Sequence, residues 1–108
     1  MADVNTVQSA SLAVLQQYVQ QAMQERGFDD ETLSQKFMLL LEESGEFAQA
    51  ARREASIKQR ADRAPSDSLA DEAGDVLIVL LDICNQLQID LESAFVQKER
   101  KNQTRTWQ

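Results

Sequence analysis

The chain has 108 residues, 43% of them apolar, with 18 acidic side chains against 11 basic, no histidine and a net charge of −7. An acidic balance argues against a nucleic-acid partner, because phosphate binding rests on clustered Lys and Arg. The missing histidine excludes a Ser-His-Asp triad, a Cys-His pair, most zinc sites and the Glu-x-x-His pairs of di-iron bundles. Length and apolar content fit one globular domain over residues 1–108 with a modest core. Three glycines and one proline favour long helices over strands and turns. No run reaches the roughly 18 apolar residues of a membrane span, and "MADVNTVQSASL" lacks the basic and apolar regions of a signal peptide. Cys84 is the single cysteine, so a reducing cytoplasm is the expected compartment.

Four helical segments are predicted. The first runs from about Val7 to Glu25, with Leu12, Leu15, Val19, Ala22 and Met23 near helical spacing and Gly27 as a stop signal. The second opens at a capping box of Thr32 and Gln35, passes through Phe37, Leu40, Phe47 and Ala51, and fades in the basic stretch "RREASIKQR". A polar loop over Ile57 to Ser66 contains Pro65. Asp67 or Ser68 caps the third helix, which runs to about Gln88. Its "VLIVLLDIC" is apolar on nearly every side, which places it in the middle of a bundle. Asp90 caps a fourth helix, "LESAFVQKERKN", before the tail "QTRTWQ". The fold class is all-α.

The chemistry sits in "LLLEESGEF", where three leucines run straight into three carboxylates. Glu42 and Glu46 are four apart and Glu43 and Glu46 three apart, so all project from one side of the second helix. Glu72 and Asp75 share a face of the third. If the helices pack antiparallel with these faces opposed, five like charges converge. Two of them about 4 Å apart repel by roughly 4 kcal/mol at an effective dielectric of 20. Folding then requires protonation or a cation between them. Oxygen-only ligands select hard ions, Mg²⁺ first and Mn²⁺ second. The competing reading is a solvated acidic face. Gly45 and Gly74 weigh against it, because each costs a helix about 1 kcal/mol relative to Ala and each sits within an acid pair.

"EESGE" followed by "EAGD" has the pattern E-E-x-x-E … E-x-x-D. It resembles the signature of the MazG-like all-α nucleoside triphosphate pyrophosphohydrolases, relatives of the dimeric dUTPases and phosphoribosyl-ATP pyrophosphohydrolases. The resemblance covers about Leu33 to Trp107, including the apolar run after Asp75 and "IDLESAF". It implies a four-helix core whose acids bind Mg²⁺ that holds a triphosphate, with water attacking between the α and β phosphates. By matching positions it implies Glu43, Glu46, Glu72 and Asp75 as metal ligands. Glu42 is implied as a ligand or as general base, which makes Glu42 and Glu43 the catalytic candidates.

The resemblance also implies phosphate contacts near the C-terminal end. Lys98, Lys101, Asn102 and Arg105 are three or four apart, so a helix reaching that far would align them. Lys98, Asn102 and Arg105 are the expected substrate contacts, although cations in a last helical turn also favour its dipole. Asp82, seven residues after Asp75 in an apolar run, requires a partner. It is a candidate for a nucleobase or sugar contact, or for pairing within the protein. Trp107 and the phenylalanines read as core or subunit-interface residues.

The expected protein is a cytoplasmic, Mg²⁺-dependent nucleotide pyrophosphohydrolase acting in nucleotide-pool housecleaning, as a homodimer or homotetramer. The alternatives are a non-enzymatic helical interaction module with a structural cation, and a phosphoribosyl-ATP pyrophosphohydrolase.

Overall fold

Capping chemistry sets where the helices begin and end. The computed structural model describes residues 1–55 and 68–105; among them are four α-helices, a 3-10 turn over Val4–Val7 and no strand. Helix α1 is Leu12–Glu25, α2 Leu33–Glu54, α3 Leu69–Leu87 and α4 Leu91–Gln103. None of them is long and apolar enough to cross a membrane. The expected loop over Ile57 to Ser66, Asp67 and Trp107 lie outside the described residues.

α1 starts later than hydrophobic spacing predicts. The chain turns at Ser9, whose φ is 62°, and the Ser11 hydroxyl then accepts the Val14 N–H at 3.3 Å. Serines offer the backbone local partners that compete with a helix, so the expected start near Val7 gives way to Leu12. The predicted stop holds. Gly27 has φ +77°, its N–H donates to the Gln24 carbonyl at 3.2 Å, and the Phe28 N–H donates to Met23 at 2.9 Å. These two bonds satisfy carbonyls that a helix end leaves open.

The Thr32–Gln35 box is formed in both directions. The Thr32 hydroxyl accepts the Gln35 N–H at 3.1 Å, and the Gln35 side chain accepts the Thr32 N–H at 2.8 Å. Ser68 caps α3 through the Asp71 N–H at 3.2 Å, and Asp90 caps α4 through the Ser93 N–H at 3.2 Å. α3 closes with the same pair of bonds as α1. Gln88 donates to Asn85 at 3.2 Å and Ile89 to Cys84 at 2.9 Å, but the residue in the left-handed region is Gln88, at φ 57°.

The chain forms two compact units, Met1–Asp30 with Leu81–Gln108, and Glu31–Leu80. In the first, Val19, Ala22, Leu81, Ile83 and Cys84 are buried, and α1 and α4 cap one another. The Gln16 side chain donates to the Ile89 carbonyl at 2.6 Å and accepts the Leu91 N–H at 3.1 Å. Glu92 returns the exchange, accepting the Ala13 N–H at 3.3 Å, and the Asn85 amide donates to the Gln16 carbonyl at 3.0 Å. In the second unit Lys36, Ala50, Glu72 and Val79 are buried. The expectation that α3 is covered on nearly every side needs correction: Leu77, Ile78 and Leu87 keep 38, 37 and 42% of their surface exposed.

Candidate metal centre

The Thr32 box starts α2 early enough that Glu42, Glu43 and Glu46 fall in mid-helix, where the backbone is fully bonded and the side chains alone carry the chemistry. Ser68 does the corresponding work for α3. It fixes the first turn so that Glu72 follows one turn in, near the positive end of the helix dipole, and Asp75 three residues later. The two clusters lie in the same compact unit.

One carboxylate oxygen from each of Glu43, Glu46 and Glu72 lies within 4.8 Å of the others. These acids differ in exposure. Glu72 retains 2% of its surface, Glu43 is half-buried and Glu46 is exposed. A solvated acidic face would leave all three in water, so the burial of Glu72 is what separates this arrangement from a decorative patch.

Electrostatics follow from the convergence. The Glu43 carboxyl is pushed up from 4.5 to about 7, first by burial, then by the charges of Glu46 and Asp75, a hydrogen bond with Glu46, and the charge of Glu72. Two carboxyl groups share a hydrogen bond only when one carries a proton, so convergence favours the protonated form of Glu43. Glu43 Oε2 is buried and accepts no hydrogen bond from the described residues. These donors fit a hard divalent ion: they are oxygens only, carry several negative charges, and include a buried oxygen with no hydrogen-bond partner among the described residues.

Of the expected acids, the fold brings Glu43, Glu46 and Glu72 together and sets Asp75 close enough to act on Glu43. Glu42 is exposed and stands outside the triplet. A Cβ on Gly45 or Gly74 would meet no atom within 4 Å among the described residues, so none of these requires either glycine.

Residues 31–107 match the MazG nucleotide pyrophosphohydrolase domain. The chain belongs to the MazG family. No individual curated protein and no solved structure gives a match. A MazG domain is an all-α nucleotide pyrophosphohydrolase domain and typically uses a divalent metal, in keeping with the helices and the acidic triplet described above.

The remaining expected site residues of this MazG chain belong to the first compact unit. Asp82 is half-buried on α3 and engaged within the protein. Lys98 is exposed on α4. The Asn102 amide donates to Glu99 at 3.1 Å, while its buried Oδ1 accepts no hydrogen bond from the described residues. Arg105 is not aligned with them by the helix, because α4 ends at Gln103 with Thr104 as C-cap.

Sequence reasoning did not single out Gln16. It sits four residues after Leu12 and three before Val19, at an apolar-face position of α1. A polar residue in that register was the available signal.

Proposed function

We propose that this MazG chain is a Mg²⁺-dependent nucleoside triphosphate pyrophosphohydrolase that cleaves (d)NTPs at the α–β anhydride, in housecleaning of the nucleotide pool. The observation that carries the reading is the convergence of Glu43, Glu46 and Glu72, with a buried carboxylate oxygen that has no partner among the described residues. In this reading Glu43, Glu46, Glu72 and Asp75 hold the ion, with Mn²⁺ as substitute. When bound, the ion neutralises triphosphate charge and orients its oxygens.

The chain's own residues supply the rest. Water adds across the anhydride: its oxygen bonds to phosphorus, the P–O–P bridge breaks, and the proton passes to a carboxylate. Glu42 and Glu43 are the catalytic candidates. Glu42 stands outside the triplet and is exposed to solvent, which suits the general base. Lys98, Asn102 and Arg105 carry the donors that phosphate oxygens need, and Asp82 carries an acceptor for base or sugar. The working protein in this reading is a cytoplasmic homodimer or homotetramer.

The test is a nucleotide panel assayed for every product, with Mg²⁺ and with EDTA. Equimolar monophosphate and pyrophosphate, released only with the ion, is the expected result. Orthophosphate as first product would overturn the assignment. Turnover confined to phosphoribosyl-ATP would reassign the chain to that dedicated reaction, and no turnover at all would leave a structural cation in an interaction module.

A further inference from the structure

The first compact unit holds a cavity of about 250 Å³ that the reading above does not use. One wall is the start of α1. The other is the closing turn of α3 with the Asp90 cap of α4. Its floor is Gln16 and Cys84, both buried. Gln16 is held at both ends of its amide, by the Ile89 carbonyl at 2.6 Å and the Leu91 N–H at 3.1 Å. The floor is therefore fixed, and the Cys84 thiol adds an apolar patch to it.

The groups around that floor are amides. Gln17, Asn85 and Gln88 line the cavity, Asn85 half-buried and the other two exposed. Asn85 spends one N–H on the Gln16 carbonyl at 3.0 Å, and a primary amide has a second N–H and an acceptor oxygen besides. Nucleobase edges carry donors and acceptors side by side, and Asn and Gln meet such an edge with two bonds at once. Charge narrows the ligand further. Among the described residues lining the cavity none is Lys or Arg, and Asp90 is the one charged group. A phosphate would find a carboxylate there and no cation. Sites for drug-sized molecules begin near 300 Å³, so this one takes a single ring system.

Gln88 supplies an independent observation. Its φ of 57° lies in the left-handed region, which costs any residue with a Cβ and which Gly would occupy freely. Strain of this kind gathers at ligand clamps, where a side chain must stand at a fixed point. The turn that imposes it is built from the cavity's own wall: Gln88 donates to the Asn85 carbonyl at 3.2 Å and Ile89 to Cys84 at 2.9 Å. We infer that this cavity binds an uncharged nucleobase, as free base or nucleoside, with Gln17 and Gln88 on the ring's edge above the Gln16–Cys84 floor. The site lies in the unit without the acidic triplet and stands independently of the catalytic reading.

Amide spectra of the isotope-labelled full chain test it, titrated with adenosine, cytidine, uridine and, as control, ribose. At least one nucleoside should shift the side-chain amides of Gln17, Asn85 and Gln88, with a dissociation constant on the order of 0.1–1 mM. Ribose should shift none of them. The matching monophosphate should bind more weakly than its nucleoside, and the nucleoside equally with Mg²⁺ and with EDTA, which sets this cavity apart from the acidic centre. Gln88→Gly relaxes the backbone, so it should melt no lower than the wild type and yet weaken binding roughly two- to tenfold, the worth of a neutral hydrogen bond. Weaker binding in a chain of undiminished stability cannot come from unfolding. Gln17→Ala, at an exposed helical position, gives a second arm with the same expected loss. Three amides silent to every nucleoside, an affinity indifferent to both substitutions or dependent on Mg²⁺, or a monophosphate that binds more tightly than its nucleoside would each overturn the assignment.

Discussion

Glu43 makes the metal-free protein sensitive to pH in a direction opposite to most carboxylates. Its carboxyl titrates at about 7 in the fold and at 4.5 when unfolded. Between those values the folded chain holds a proton that the unfolded chain has lost, so stability falls as pH rises. The penalty is absent below the unfolded value and complete above the folded one. At about 1.4 kcal/mol per pH unit the interval sets a ceiling of about 3.5 kcal/mol. Glu43 is only half-buried and Glu46 is exposed, so solvent screening reduces this to about 1–2 kcal/mol. Glu43→Gln removes the charge, keeps the shape and can still donate to Glu46. In EDTA, the wild-type melting temperature should drop between pH 5 and 8 relative to the variant, ending about 5–10 °C lower for a domain of this size. Millimolar Mg²⁺ at pH 8 should recover the wild type by mass action and help the variant less. Thermal melts over that pH range, with both proteins in the same buffers, provide the measurement. Parallel pH curves for wild type and variant would refute the convergence of charge on which the metal centre rests.

Three other changes test separate parts of the structure. Gln88→Gly relieves a side chain from the left-handed region and should stabilise the chain by about 1 kcal/mol in urea denaturation. Gln16→Leu leaves the Ile89 carbonyl and the Leu91 N–H without their partner and should cost about 2–4 kcal/mol, read by the same method. Arg105→Ala should lower kcat/KM by about one to two orders of magnitude, the worth of one charge-assisted hydrogen bond, with Mg²⁺ affinity unchanged, whereas Asp75→Asn should lose metal affinity and turnover together.

What the sequence made legible was chemistry settled within a few residues. The Thr32–Gln35 box and the Ser68 and Asp90 caps depend on side chains three positions from the backbone groups they satisfy, and the Gly27 stop on backbone bonds equally local. The acidic spacing was legible for the same reason, since residues three and four apart on a helix share a side. The different burial of Glu42 and Glu43 was harder to see. The two are adjacent in sequence, yet one residue turns a helix by about 100°, and only the neighbouring helix decides which of them is covered. Gln16 looked like one more surface glutamine because its partners are the Ile89 carbonyl and Leu91 N–H, far along the chain. Gln88 was hidden because a left-handed residue is announced by Gly or Asn, and the residue at that position is neither. The apolar letters of α3 overstated its burial, since hydropathy records what a side chain prefers and not whether another surface is there to meet it.

The mutual capping of α1 and α4 also has a consequence for how the protein is made. Gln16 and Ala13 wait for Ile89, Leu91 and Glu92, whereas the unit from Glu31 to Leu80 is built from one continuous stretch. At synthesis rates of about 5–20 residues per second, α1 leaves the ribosome several seconds before its partners exist. During that interval its apolar face, with Leu15, Val19 and Ala22, has only water or a chaperone to meet. The acid-bearing stretch from Glu31 to Leu80 emerges complete in the meantime, before the two ends of the chain have found each other.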